Sequence, residues 1–158
     1  MLNRTVAENL LLTRYSPVSG FGFIRGKSAH RTTADWMTAI EAKGGAPDQP
    51  IGELSGGNQQ KIALGRLLFH DARILLLDEP TKGIDVASKA SIYQRIGQAA
   101  ASGKSIIFVS SYLPELLGVC DTIAVMCRGV LSAVKPASEW TEHKIIATAI
   151  GQVAIADC

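Results

Sequence analysis

The sequence predicts an α/β fold, and three of its features support this class. Its length of 158 residues suits one compact domain. Hydrophobic residues make up 47% and charged residues 19% of the chain, which is typical of globular proteins and excludes a disordered or fibrous one. From Ile51 onward, short aliphatic runs alternate with helical stretches, which is the pattern of a parallel sheet with crossover helices.

Charge, hydropathy and cysteine spacing narrow the possible function classes. A net charge of +2 is too small for the basic surface that nucleic-acid binding needs, so we expect no nucleic-acid partner. Apolar runs such as 74–77 are far shorter than the ~18 residues of a membrane-spanning helix. Glu8 interrupts the apolar core that a secretory signal would need, which predicts a cytoplasmic location. No metal-ligand spacing relates the cysteines, which we predict to be reduced thiols: Cys120, Cys127 and Cys158.

The first part of the chain, up to about Gly45, is predicted to be helical and peripheral. Glycine and serine between Ser16 and Ser28 indicate a loose loop. A helix is expected from Thr33 to Lys43, ending at the glycine pair that follows.

The second part is predicted to alternate strands and helices. The run Ile74 to Leu77 is all apolar, as in a strand covered on both faces. Asp85 is expected to cap a helix that begins near Val86 and ends at Gly103. Its apolar face should carry Ile92, Ile96 and Ala100. The later expected elements are a buried strand at 106–109, a short helix at 113–117, strands at 122–126 and 130–134, and a helix at 139–150.

The segment Leu54-Ser55-Gly56-Gly57-Asn58-Gln59-Gln60-Lys61 precedes an apolar-periodic helix. Ser55 is suited to cap that helix, and two glycines allow backbone N–H groups to approach an anion closely. Because a helix start carries about half a positive charge, the segment is suited to a phosphate. An ordinary glycine-containing turn with a helix cap is the competing interpretation.

The segment Ile74-Leu75-Leu76-Leu77-Asp78-Glu79 places two carboxylates at the end of an apolar strand, where open α/β sheets bind ligands. Asp78 is suited to a Mg²⁺ ion that also holds phosphate oxygens. Glu79 could orient or deprotonate an attacking water. The competing interpretation is a solvated acidic turn after a strand.

Together the two segments resemble the ABC ATPase family, with its signature at 54–59, its Walker B strand at 74–79 and its D-loop at 83–85. The resemblance implies a P-loop NTPase fold, with a mostly parallel sheet, flanking helices and a helical subdomain. It also implies ATP and Mg²⁺ as ligands and a head-to-tail dimer with another ATPase cassette. Glu79 would be catalytic and Asp78 would hold Mg²⁺. The residues implied to bind the nucleotide are Ser55, Gly56, Gly57, Asn58, Gln59 and Asp85.

Further segments resemble the second cassette of ribose-, xylose- and galactose-type sugar importers: 58–61, 81–86 and 110–115. The resemblance covers essentially the whole chain and implies permease partners and a position on the inner face of the cell membrane. It divides the single domain into a mainly helical signature part, 1–65, and a Walker B part, 66–158.

The sequence departs from this family because it has no P-loop, Gly-x-x-x-x-Gly-Lys-[Ser/Thr]. Gly26-Lys27-Ser28 has Phe21 where the first glycine is needed, and Gly103-Lys104-Ser105 has Gln98. We therefore expect a partial fold, the C-terminal half of a cassette without its P-loop strand. Ser111 also stands where the switch histidine is usual.

Two consequences follow from the missing P-loop. The isolated chain should not bind Mg-ATP tightly, and the remaining sheet should expose an apolar edge and face that favour association. The leading hypothesis is an ATP-binding subunit of a sugar importer, and the alternative is a non-catalytic remnant or partner module. An ATPase of DNA repair or translation is disfavoured by the extension around Lys61 and the weak charge.

Overall fold

The computed structural model describes residues 1–152, and at Ala87 only the backbone. The chain forms two compact units, Met1–Ile107 and Phe108–Cys158. The helices described are α1 (Val6–Leu11), α2 (Gly26–Ala39), α3 (Gly56–His70), α4 (Val86–Ala101), α5 (Leu113–Val119) and α6 (Glu142–Ala149). No helix within 1–152 is both long enough and apolar enough to cross a bilayer.

The core of the first unit lies among α1, α2 and α3. Val6 and Leu10 of α1 are fully buried, and Met37 of α2 and Ile62 of α3 belong to the same apolar cluster. The ring of Trp36 meets that of Phe69 edge-on, with centroids 5.6 Å apart. The prediction of a helical N-terminal part is confirmed, but the prediction that it is peripheral is wrong, because its apolar side chains supply much of this core.

Helix α1 begins with a capping box. The Thr5 hydroxyl accepts a hydrogen bond from the Glu8 amide at 3.1 Å, and a Glu8 carboxylate oxygen accepts one from the Thr5 amide at 2.9 Å. The buried Asn9 side chain ties the helix to the preceding turn by donating to the carbonyls of Met1, Arg4 and Thr5. This start fixes the first helix against the core.

The predicted loop and the predicted second helix both differ from the structure. A short antiparallel hairpin, β1 (Ser19–Gly20) and β2 (Phe23–Ile24), lies within the expected loop. Helix α2 begins at Gly26 and ends at Ala39, before the glycine pair. Glu41 stops it, because its φ of 55° is left-handed and incompatible with a further helical turn.

Strands β3 (Ile74–Asp78) and β4 (Ser105–Val109) pair with each other and are joined through α4, the kind of crossover that parallel strands require. In β3, Leu75 and Leu77 are buried, whereas Ile74 is 61% and Leu76 69% exposed. Ile107 of β4 is 56% exposed. The prediction of strands buried on both faces is therefore wrong, and the exposed apolar face expected from the missing P-loop strand is present.

Helix α4 confirms most of its prediction. The Asp85 carboxylate accepts a hydrogen bond from the Ser88 amide at 2.9 Å, and Gly103 follows the helix with a φ of 89°. Ile92 and Ile96 are buried, but the third core position is Ala99, and Ala100 is exposed. The third buried position is 99 and not 100 because a helix repeats every 3.6 residues rather than every four.

The second unit carries two short antiparallel strand pairs. These are β5 (Thr122–Ile123) with β8 (Lys135–Pro136), and β6 (Met126–Cys127) with β7 (Val130–Leu131). Trp140 packs in the core of this unit, and its indole N–H donates to the Ile123 carbonyl at 3.1 Å. The two longer strands predicted here are thus broken into four, while α5 lies at its predicted place and α6 begins three residues late.

Candidate functional site

The start of α3 leaves backbone donors without acceptors. Ser55 takes the predicted cap position, but its hydroxyl bonds no backbone N–H; it accepts from the Asn58 side-chain amide at 3.0 Å instead. The capping bond itself was wrongly predicted, because that amide occupies the hydroxyl. Within residues 1–152, the N–H groups of Gly56, Gly57 and Asn58 have no acceptor. An anion at this helix start would supply one.

The two glycines of the signature differ in their surroundings. Gly56 is exposed, and a Cβ added to it would meet nothing within 4 Å. Gly57 is buried, and its added Cβ would lie 2.8 Å from the Ser88 Oγ and 3.3 Å from an Asp85 carboxylate oxygen. Gly57 is therefore required for close packing against the start of α4, whereas Gly56 leaves open space for a ligand.

Asn58 and Gln59 hold the signature in shape through their side chains. The side-chain oxygen of Asn58 accepts a hydrogen bond from the backbone amide of Lys43 at 3.0 Å. The side-chain amide of Gln59 donates one to the backbone carbonyl of Leu54 at 2.8 Å. Both residues are half-buried. These bonds fix the segment on either side of Ser55 and so preorganise the helix start.

Two helix starts lie next to each other at this place. Asp85 caps α4 and lies beside Gly57, so the D-loop predicted from the sequence contacts the signature of the same chain. This carboxylate accepts a hydrogen bond from the backbone amide of Ser88, so its negative charge lies at the positive end of α4. Ser88 was not singled out from the sequence, although its place three residues after a capping aspartate is a usable signal.

The end of β3 carries the two predicted carboxylates. Asp78 is exposed, and its carboxylate makes no hydrogen bond or ion pair within the part of the chain described. Glu79 is half-buried with a φ of 45°, a left-handed conformation that costs a non-glycine residue about 1–3 kcal/mol. Its carbonyl accepts from the Lys82 amide at 3.2 Å. The left-handed residue turns the chain directly after the strand.

The structure brings together only part of the predicted site. Gly56 and Gln59 line a cavity of about 310 Å³ together with the turn 82–84, but Asp78 and Glu79 do not line it. Among residues 1–152, no three His, Cys, Asp or Glu side chains are grouped so that they could hold a metal ion. A Mg²⁺ ion at Asp78 would thus need phosphate oxygens and water as further ligands, which is its common mode of binding.

Solved structures define the class of fold. The chain is similar to a nucleotide-free ATP-binding cassette of an ABC transporter, with 22% identity, a TM-score of 0.73 and coverage of 97% of this chain and 62% of that one. It is also similar to a metal-chelate type ABC transporter in an inward-facing conformation, with 14% identity, a TM-score of 0.76 and coverage of 96% and 59%. The fold is that of an ABC ATPase cassette.

The family follows from sequence comparison. Residues 1–82 match the family model described as ABC transporter, and the chain belongs to this family. It is 37% identical to the ribose import ATP-binding protein RbsA of Rhodococcus jostii (strain RHA1), over 99% of this chain and 31% of that protein. It is 38% identical to the protein of the same name from Geobacillus kaustophilus (strain HTA426), over 96% and 31%. The chain spans about a third of the length of these relatives.

Proposed function

We propose that this chain is the part of a sugar importer's ATP-binding subunit that carries the signature and Walker B segments. The similarity to two ribose import ATP-binding proteins over almost the whole chain supports a carbohydrate cargo. The uncapped start of α3 is the observation that carries the proposal. It offers three backbone donors and one open glycine at the place where the family resemblance puts the signature.

In this function the start of α3 binds the γ-phosphate of an ATP that another cassette holds. Backbone N–H groups of Gly56 and Gly57 donate to the phosphate, and the Ser55 hydroxyl adds a further donor. These interactions strengthen as charge spreads over the phosphate oxygens in the transition state. Asn58 and Gln59 act through the hydrogen bonds that fix the start of α3. Asp85 acts by capping the start of α4 and not by binding the phosphate, because a carboxylate beside a phosphate would repel it.

Asp78 and Glu79 act at a different nucleotide, one gripped by a P-loop that belongs with this same Walker B strand. The exposed Asp78 carboxylate would hold Mg²⁺, which neutralises phosphate charge when bound. Glu79 would orient the attacking water or accept its proton. Because the sequence has no P-loop, these two roles depend on a second segment that supplies one.

The partners in this function are a second ATPase cassette, stacked head to tail, and permease subunits of the membrane. The chain would lie on the cytoplasmic face of that membrane. A dimeric, post-hydrolysis ATP-binding cassette bound to ADP and Pi has the same fold, with 21% identity and a TM-score of 0.71 over 87% of this chain and 58% of that one. That protein is dimeric, and the shared fold is the only link between its dimer and the arrangement proposed for this chain.

A chimera tests the proposal. This chain replaces the matching segment of the Geobacillus kaustophilus protein, and steady-state ATP hydrolysis is measured. Gly56→Asp places a negative charge at the first position of α3, where it suits the helix but repels a phosphate. We expect kcat to fall by about 10²-fold, the size of losing a transition-state donor.

The matched control is Gly26→Asp, because Gly26 is also an exposed glycine at the first position of a helix and also has open space around it. This control should keep the activity of the parent chimera. Equal activity in the Gly56→Asp chimera would contradict the phosphate role. A folded parent chimera without hydrolysis would favour the alternative, a non-catalytic remnant or partner module.

A further inference from the structure

The cavity beside the signature carries an unexplained concentration of positive charge. It is lined by Gln60, Ala63 and Arg66 of α3 and by the turn that contains Lys82. Residues three apart on a helix project to the same side, so the three α3 side chains border one continuous surface. At about 310 Å³ the cavity is at the lower limit of small-molecule sites.

Two of the described lining side chains, Arg66 and Lys82, are cations, and none is a carboxylate. Within residues 1–152 neither cation makes an ion pair or a side-chain hydrogen bond. Arg66 is half-buried as a residue, and its side chain lines the cavity. An anion in the cavity would give both cations a charge-assisted hydrogen-bond partner.

The chemistry of the two cations selects the class of anion. A guanidinium presents a planar set of donors that matches phosphate oxygens, and an ammonium adds a compact charge. The cavity also has apolar lining from Leu2, Ile51 and Ile84, which leaves room for a small organic group attached to the phosphate. We propose that this cavity binds a phosphate group between Arg66 and Lys82, either as free phosphate or as part of a small phosphorylated molecule.

This site goes beyond the proposed function, which assigns no role to either cation. The γ-phosphate proposed above is held by the backbone donors of Gly56 and Gly57. Here the ligand is held by side chains further along α3 and on the turn after β3. The two sites share one border at Gly56 and can be tested separately through Arg66.

The test is isothermal titration of the whole chain at low ionic strength with inorganic phosphate and, separately, with glycerol 3-phosphate. We expect millimolar binding of at least one ligand, and the stronger of the two identifies the source of the phosphate. Arg66→Gln and Lys82→Gln should each weaken it at least fivefold. Arg31→Gln is the matched control, because Arg31 is an exposed arginine of α2 outside the cavity and should leave binding unchanged.

The site is overturned if the wild-type chain binds neither ligand, if both cavity variants bind as tightly as the wild type, or if the Arg31 control loses as much affinity as they do. Acetate that binds as well as phosphate would also overturn it, because the site would then be a general anion site. Lys82 is exposed, so its variant should fold even if the Arg66 variant does not. The chimera carrying Arg66→Gln should still hydrolyse ATP, which separates this site from the proposed nucleotide contact.

Discussion

At the scale of single residues, the two signature glycines are expected to respond oppositely to the same substitution. In Gly57→Ala the new Cβ would lie 2.8 Å from the Ser88 Oγ and 3.1 Å from its Cβ, so the Ser88 side chain or the start of α4 must shift. We expect the free energy of unfolding to fall by about 1–3 kcal/mol, the usual cost of overpacking. Urea denaturation followed by circular dichroism measures it.

Gly56→Ala is the control, because its Cβ enters open space and alanine favours a helix over glycine. It should leave stability unchanged or raise it by up to about 1 kcal/mol. Ser88→Ala in the Gly57→Ala chain removes the closest clash and should restore part of the loss. A Gly57→Ala chain as stable as the wild type would show that the two helix starts do not pack as described.

The sequence motif alone could not separate these two glycines. Both belong to one Ser-Gly-Gly pattern, and both were predicted to let an anion approach the backbone. The difference arises from Asp85 and Ser88, which are about thirty residues away in the chain and reach Gly57 only through the packing of α4. Contacts between distant segments are what local patterns cannot show.

At the scale of elements, an ion pair links the end of α3 to the start of β4. The Lys104 ammonium donates to the Asp71 carboxylate at 2.6 Å and to the Ala72 carbonyl at 3.1 Å. The hydrogen bond from Lys104, followed by its charge, lowers the pKa of Asp71 below the ordinary value. Asp71 is left-handed, with a φ of 61°, so it also ends the helix.

This pair predicts a defined pH dependence. Since the pKa of Asp71 is lower in the folded state, its stabilisation is present above the unfolded-state pKa of about 4 and is lost as the pH falls through the folded-state value. Asp71→Asn keeps a residue that tolerates the left-handed conformation but removes the charge. The variant should therefore be less stable than the wild type at pH 7 and equally stable in strong acid.

Unfolding in urea across this pH range, at low and high salt, measures the difference. The effect should be small and should shrink in high salt, because Asp71 is exposed. In a Lys104→Met background the Asp71→Asn difference should disappear. A difference that persists there, or one that grows as the pH falls, would contradict the pair as its source.

The elements also show how far local signals reach. Helices α3 and α4 were predicted near their observed starts because each has a capping residue and an apolar period. Helix α1 was not delimited, although Thr5 and Glu8 form a capping box that the sequence displays. The start of helix α2 was predicted seven residues too late because glycine and serine at its start resemble a loop. Tertiary packing decides such cases.

At the scale of the whole molecule, the resemblance of the signature and Walker B segments to the ABC ATPase family was sufficient to predict the cassette class, which the solved structures confirm at the level of fold. Burial of β3 was not predictable from its apolar run. Such a run specifies that both faces are suited to be covered, but not which neighbours cover them. Ile74 and Leu76 are accordingly apolar, as core residues are, although both are exposed to solvent.

This exposed face is expected to make the isolated chain associate. Ile74, Leu76 and Ile107 are each more than half exposed and contribute to one pair of strands. Exposed apolar patches of this kind favour self-association in water. Sedimentation velocity over a range of protein concentrations should show a concentration-dependent mass, and Leu76→Glu should shift it toward the monomer because a carboxylate is costly to bury.

Val86→Glu provides the matched control for this change. Val86 is an exposed aliphatic residue at the first position of α4, where a glutamate suits the helix start. It adds the same charge away from the exposed face, so it should leave the association unchanged. If both variants reduce association equally, net charge rather than the face is responsible. If the wild-type chain is a monodisperse monomer with a sharp thermal transition, the exposed side chains are not sufficient to drive association, and the prediction is wrong.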